Sequence, residues 1–148
     1  MRISARTDYA LRVLLELAAD SATPQTCEGV AVKQDIPYRY LKSIVSDLRK
    51  AGLVVSQRGS DGGYWIARDP AEISVAQVVT AVDGSVLTVR GELLESLVYT
   101  GSAEHLGELW AQLGDFVDAL FATSIAQLMS GRVSKRQNRG TSRPAVTR

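Results

Sequence analysis

The chain has 148 residues, 45% of them apolar, and its 17 Lys and Arg nearly cancel its 16 Asp and Glu, for a formal net charge of +1. That composition supports one real core with appendages and excludes a chain that is disordered throughout. A single cysteine excludes an internal disulfide or a cysteine-only metal site within one chain, and no apolar run approaches the roughly 20 residues of a membrane span.

The near-zero sum hides a segregation. Residues 1–70 hold ten bases and eight acids, 71–131 one base and eight acids, and 132–148 six bases and no acid. The N-terminus, MRISARTDYALRVLLELAAD, has helical periodicity and interspersed charge instead of a secretory core, so a cytoplasmic protein is expected.

In chain order, Ser4 is placed to cap a first helix, because its short side-chain oxygen can accept from a free backbone N–H. Ala10, Val13, Leu14, Leu17 and Ala18 form one apolar face of that helix, and Leu11 and Leu15 add a second. A helix apolar on two sides needs two partners, its own core and another subunit. Residues 22–25 have no pattern and read as a loop. Thr26 then caps a short helix to about Lys33, with Cys27, Val30 and Ala31 on one face.

Pro37 to Ala51 predicts the next helix. Leu41, Ile44, Val45 and Leu48 recur at i, i+3, i+4 and i+7, while Arg39, Lys42, Ser43, Ser46, Arg49 and Lys50 fall largely outside that stripe. One side packs and the other can meet an anion. Pro37 suits a first turn and Gly52 a left-handed stop. Val54, Val55, Tyr64, Trp65 and Ile66 flank Gly59-Ser60-Asp61-Gly62-Gly63, which predicts a hairpin with Arg58 at its tip. The glycines do not form a phosphate loop, since no Gly-Lys-Ser/Thr and no helix follows. Two helices joined by about three residues and then a hairpin give a winged helix-turn-helix, in which a helix enters a major groove and a basic tip lies beside it.

Past the wing, Ser74-Val75-Ala76-Gln77 is a capping box, with Ile73 and Val78 spaced as its hydrophobic staple, and predicts a short helix to about Val82. Residues 83–101 carry three glycines, and Leu93, Leu94, Leu97 and Val98 suggest a short helix there. From Ser102 to Gly131 the apolar positions keep helical spacing, predicting one continuous dimerisation helix of roughly 40 Å. Gly107 and Gly114 within it each cost about 1 kcal/mol relative to Ala. The tail 132–148 is basic and poor in apolar residues, so it is expected to be disordered, either a DNA arm or a solubilising end.

The fold expected is therefore mainly α with a small β-hairpin. Residues 1–84 form a winged helix-turn-helix DNA-binding domain, 85–131 a variable segment and long dimerisation helix, and 132–148 the basic tail. No catalytic arrangement is readable, with one His and one Cys far apart, so an enzyme is not expected.

Thr7-Asp8-Tyr9-Ala10-Leu11, Tyr40-Leu41, Leu48 to Val54, Arg58-Gly59, Gly62-Gly63-Tyr64, Ala67 and the run from Ile73 to Asp83-Gly84 closely resemble the Rrf-two (Rrf2) family of bacterial winged-helix regulators, of the IscR, NsrR and CymR type. The resemblance covers about residues 1–84, with a similarity of layout beyond. It implies a homodimer with crossing long helices, a palindromic operator on double-stranded DNA, and repression as the usual outcome. By position it implies that Tyr38, Arg39, Lys42 and Ser43 face bases or phosphates, that Arg58 and Gly59 enter the minor groove, and that Arg2, Ser4 and Tyr9 hold the backbone.

Many members of that family hold an iron–sulphur cluster on three cysteines between the short fourth helix and the long one, here about 83–106. That stretch has no cysteine. Asp8 matches a further ligand in some members, but with His105 it cannot replace three thiolates. No cluster or other cofactor is expected, and the signal is expected to be a small-molecule effector or a partner enzyme. Some cluster-bearing members carry an acid at the position of Lys42, so their operator preference does not transfer. Two rival readings stay open: a protein-interaction module whose acidic 71–131 segment binds a metabolic enzyme, and a thiol redox sensor through Cys27. Cys27 and His105 are the sensor candidates. Cys27 falls on a packing face, and His105 lies between Glu104 and Glu108 in the first turn of the long helix.

Overall fold

The computed structural model describes residues 2–133. The tail expected to be disordered falls almost wholly outside them, from residue 134 onward. Three helices lead: α1 Ala5–Ala19, α2 Cys27–Gln34 and α3 Tyr38–Lys50. Their starts follow the residues predicted. Ser4 Oγ accepts from Thr7 N at 3.0 Å and Thr26 Oγ1 from Gly29 N at 3.0 Å, each relieving one free donor at a helix end. Pro37 precedes α3 without a side-chain cap, and Gly52 ends it at φ +73°.

Strands β1 Val54–Gln57 and β2 Gly63–Ile66 pair antiparallel, with Val54 opposite Ile66 and Gln57 opposite Gly63. The loop before α2 is not idle. Gln25 exchanges two backbone hydrogen bonds with Tyr64, at 2.9 and 3.0 Å, and adds a third rung to the wing. After a short 3-10 turn at Pro70–Glu72 comes α4, Val75–Asp83, with both hydrogen bonds of the Ser74/Gln77 capping box formed.

The core lies between α1, α3 and α4. Leu14, Leu17, Leu41, Ile44, Leu48, Leu53, Ile73, Val78 and Ile125 are fully buried, each side chain gaining roughly 1.5–3 kcal/mol from leaving water. Leu11 and Leu15, the second apolar side of α1, are partly buried against this same core.

Two expectations are corrected beyond α4. Leu93 to Val98 form no α-helix. Thr88–Val89 (β3) and Glu92–Leu93 (β4) make a minimal hairpin, followed by a single 3-10 turn at Leu94–Ser96. Arg90 at φ +56° and Gly91 at φ +81° supply the two left-handed positions that a two-residue hairpin loop needs.

The continuous helix over 102–131 is also corrected. Gly101–Ala103 is a 3-10 turn, α5 spans Leu106–Phe121, and a separate α6 spans Ile125–Met129. At 16 residues α5 is about 24 Å long. The break is made by pairing: Val75 N donates to Thr123 O at 2.9 Å and Ile125 N to Ile73 O at 2.8 Å. Ser124 restarts the helix with its own capping box to Gln127, which places the buried Ile125 in the core shared with α1.

Candidate nucleic-acid interface

α3 is positioned by its buried stripe, Leu41, Ile44, Val45 and Leu48, which leaves Tyr38, Arg39, Lys42, Ser43 and Arg49 exposed on the other side. Aromatic rings hold several of these bases. The Arg39 guanidinium lies 4.7 Å from the centre of the Tyr40 ring and donates to the Tyr40 hydroxyl at 2.9 Å. Tyr40 stands 5.9 Å from the Tyr9 ring, itself 5.7 Å from the Arg12 guanidinium. Lys42 Nζ is 5.5 Å from the centre of the Tyr38 ring. Such stacking limits the freedom of long side chains while leaving their charge exposed.

The pairing of charges divides the bases into two groups. Arg6 bonds Asp47 at 2.5 Å and Ser43 at 3.0 Å, Arg12 meets Asp8 at 2.7 Å, and Lys33 meets Glu16 at 3.0 Å. The Arg6 and Lys33 pairs tie helices together, whereas Arg12 and Asp8 pair within α1. Among the described residues, Arg39, Lys42, Arg49 and Arg58 have no carboxylate within ion-pair distance. Arg49 instead donates to Ser56 Oγ at 3.2 Å, bridging α3 to β1.

The wing tip is built on glycine. A Cβ at Gly62 would stand 2.2 Å from the Gln57 carbonyl oxygen, and one at Gly63, where φ is +151°, would stand 2.9 Å from Gln25 O. Neither position admits a side chain without the turn or the Gln25 rung moving. This closure brings Arg58 and Gly59 to a shallow groove shared with Tyr38, Lys42 and Glu28.

Glu28 is a residue that the sequence reading did not single out. It accepts from the Tyr38 hydroxyl at 2.8 Å. Its own backbone N–H, and then Tyr38, hold its carboxyl below the usual range, while Glu28 raises the Tyr38 phenol. Tyr38 in turn raises Lys42, which stays cationic. The signal for Glu28 was its place at the second position of the helix capped by Thr26, where an acid favours the helix dipole.

Tyr38, Arg39, Lys42, Ser43, Arg58 and Gly59 thus share α3 and the wing, and Tyr9 joins them through Tyr40. Arg2 and Ser4 border a different hollow, with Asp83, Ser85, Val86 and Thr88. Ser4 has structural duties there. It caps α1, and its hydroxyl donates to Asp83, which also accepts from Thr7 Oγ1 at 2.6 Å.

Cys27 is 5% exposed, and burial pushes its thiol up against the opposing effect of a hydrogen bond with Tyr64. A thiol held protonated is a poor nucleophile toward oxidants. His105 precedes α5 at its N-cap position, an exposed ring 3.1 Å from Glu108 and 3.5 Å from Glu104. Among the described residues no group of three or more His, Cys, Asp or Glu is arranged to hold a metal ion. Asp8, the match to a family ligand, is committed to Arg12. These donors do not fit an iron–sulphur cluster, which is held mainly by thiolates.

Comparison with known proteins agrees with the geometry. The sequence profile of the Rrf2 family, described as an iron-dependent transcriptional regulator, matches residues 3–131. A protein of Mycobacterium tuberculosis assigned to the HTH-type transcriptional regulators is 38% identical over 133 residues, covering 88% of this chain and 83% of its own. The HTH-type transcriptional regulator IscR of Serratia proteamaculans is 34% identical over 151 residues, covering 98% and 92%. Among solved structures, CymR, the global cysteine regulator of B. subtilis, superposes with a TM-score of 0.76 at 30% identity, covering 88% of this chain and 98% of that one.

Proposed function

The chain belongs to the Rrf2 family of DNA-binding transcriptional regulators, which are not enzymes, and on that premise we propose that it is a homodimeric repressor reading a pseudo-palindromic operator. α3 enters the major groove with Tyr38, Arg39, Lys42 and Ser43 toward bases and phosphates. The wing carries Arg58 and Gly59 into the adjacent minor groove, and Arg2, Ser4 and Tyr9 steady the backbone. The observation that carries this reading is the set of four exposed bases without acids, Arg39, Lys42, Arg49 and Arg58, beside paired Arg6, Arg12 and Lys33. Bases left free in a chain with nearly as many acids as bases are available to phosphates.

α5 supports the dimer. Leu109 and Phe116 are more than half exposed and lie with Leu113 and Leu120 on one stripe, while Val117 and Phe121 turn toward the rest of the chain. A second copy of the same stripe would cover it isologously. With donors unsuited to a cluster, the signal is a small molecule or a partner protein. Among the described residues no helix is long and apolar enough to cross a membrane, and a DNA reader works in the cytoplasm.

The test is a fluorescence titration of the full chain against genomic fragments, followed by footprinting. We expect a protected pseudo-palindrome, with binding to it weakened at least about tenfold by Arg58→Ala. Weak, sequence-independent binding that Arg58→Ala leaves unchanged would refute the proposal.

A further inference from the structure

The acidic half of the chain forms an open cavity that DNA reading does not use. It measures about 390 Å³, within the ~300–1,000 Å³ of small-molecule sites, and lies between α4, the β3–β4 segment and α5. Val79, Leu94, Val117 and Phe121 supply much of its apolar lining. Two carboxylates, Glu95 and Asp118, stand at its border, and among the described residues neither has an ion-pair or side-chain hydrogen-bond partner.

No base lines this cavity. The single base of residues 71–131 is Arg90, whose guanidinium lies 5.9 Å from the centre of the Tyr99 ring and outside the lining. An anionic ligand would meet like charge there with no counter-charge. A cation with an apolar body would cover the hydrophobic wall and neutralise one or both acids.

We propose that this cavity is an effector site for a small organic cation, an ammonium or guanidinium group carried on an apolar body. Its placement suits control of DNA binding, a part of the proposal that rests on the regulator reading. α4 forms one wall and ends at Asp83, which accepts from Ser4 and from Thr7 Oγ1 of α1. From the same turn of α1, Arg6 reaches Ser43 and Asp47 of α3. A ligand that shifts α4 therefore acts on the N-terminus of α1 and, through it, on the reading helix.

The experiment uses the full chain and three probes of similar shape: 2-phenylethylammonium, 2-phenylethanol and 3-phenylpropanoate. Titration calorimetry is expected to show saturable binding of the ammonium, one per chain, about tenfold tighter than either other probe, the scale of one charge-assisted hydrogen bond. Asp118→Asn, a change at an exposed position, should remove that preference, and Gly114→Leu, which projects a side chain into the cavity, should abolish binding. Thermal melts of both variants check that they fold. Equal affinity for the alcohol, no saturation, or binding indifferent to Asp118→Asn and Glu95→Gln would overturn the site. Operator affinity is measured on the same samples. Ammonium binding without specific DNA binding leaves the site standing and refutes the regulator reading. Specific DNA binding without ammonium binding refutes the site alone.

Discussion

Residues 1–70 carry unpaired bases on the outer face of α3 and the wing, whereas residues 71–131 carry almost only acids beside the exposed apolar stripe of α5. In the first region the aliphatic side chains of α3, Leu41, Ile44, Val45 and Leu48, are buried, and its outer face is cationic and aromatic. In the second, Leu93, Val98, Leu109 and Phe116 remain exposed amid eight acids and one base. The contrast shows how a chain of nearly zero net charge can bind a polyanion. On the proposed reading, DNA meets the cationic surface of α3 and the wing, and the acid-rich residues 71–131, which repel a polyanion, are left for a second copy and a ligand.

The largest effect expected from disturbing this contrast is at α5. Phe116→Glu places a charge in the exposed apolar stripe and should convert the proposed dimer to monomer by light scattering. Operator affinity should then fall on the order of 100-fold or more, since two linked half-sites no longer bind together. A dimer that persists unchanged would remove α5 as the interface.

Next is Ile125→Ala. Ile125 belongs by position to the acidic half but by packing to the core of α1, so its truncation should destabilise the whole fold by about 2–5 kcal/mol in urea unfolding. A local loss confined to the C-terminal helices would show that the two regions are more separate than the packing implies.

The smallest effect concerns pH. Gln34, and then Lys33, hold the Glu16 carboxyl below its ordinary range. Its folded pKa is thus lower than its unfolded one, and its contribution is complete above the unfolded value and lost as pH falls through the folded value. Glu16→Gln should therefore cost up to about 1 kcal/mol near neutral pH and converge with wild type in acid unfolding curves.

How much of this was legible differs between the same two regions. Helix α3, the wing and the caps at Ser4, Thr26 and Ser74 follow from local rules, because each depends on residues within a few positions. The β3–β4 hairpin was hidden by its Arg90-Gly91 turn, since arginine at a positive φ carries no turn signal. The break in the long helix has a local signal of its own. Ser124-Ile125-Ala126-Gln127 repeats Ser74-Val75-Ala76-Gln77, and the two boxes lie against each other across a β-bridge between Ser74 and Ser124. Helical periodicity continued through the second box and outweighed it. The Gln25 rung of the wing had no local signal, being a long-range backbone pairing.

The central claim, that two copies of α3 and wing carry DNA binding through unpaired bases, is tested most directly by the salt dependence of operator affinity. For wild type, Lys42→Ala and Arg58→Ala, the slope of log K against log salt counts the phosphates neutralised, at about 0.9 per contact. A dimer should lose about 1.8 in slope for each substitution that removes a phosphate contact from both copies. Slopes unchanged in both variants would contradict the account.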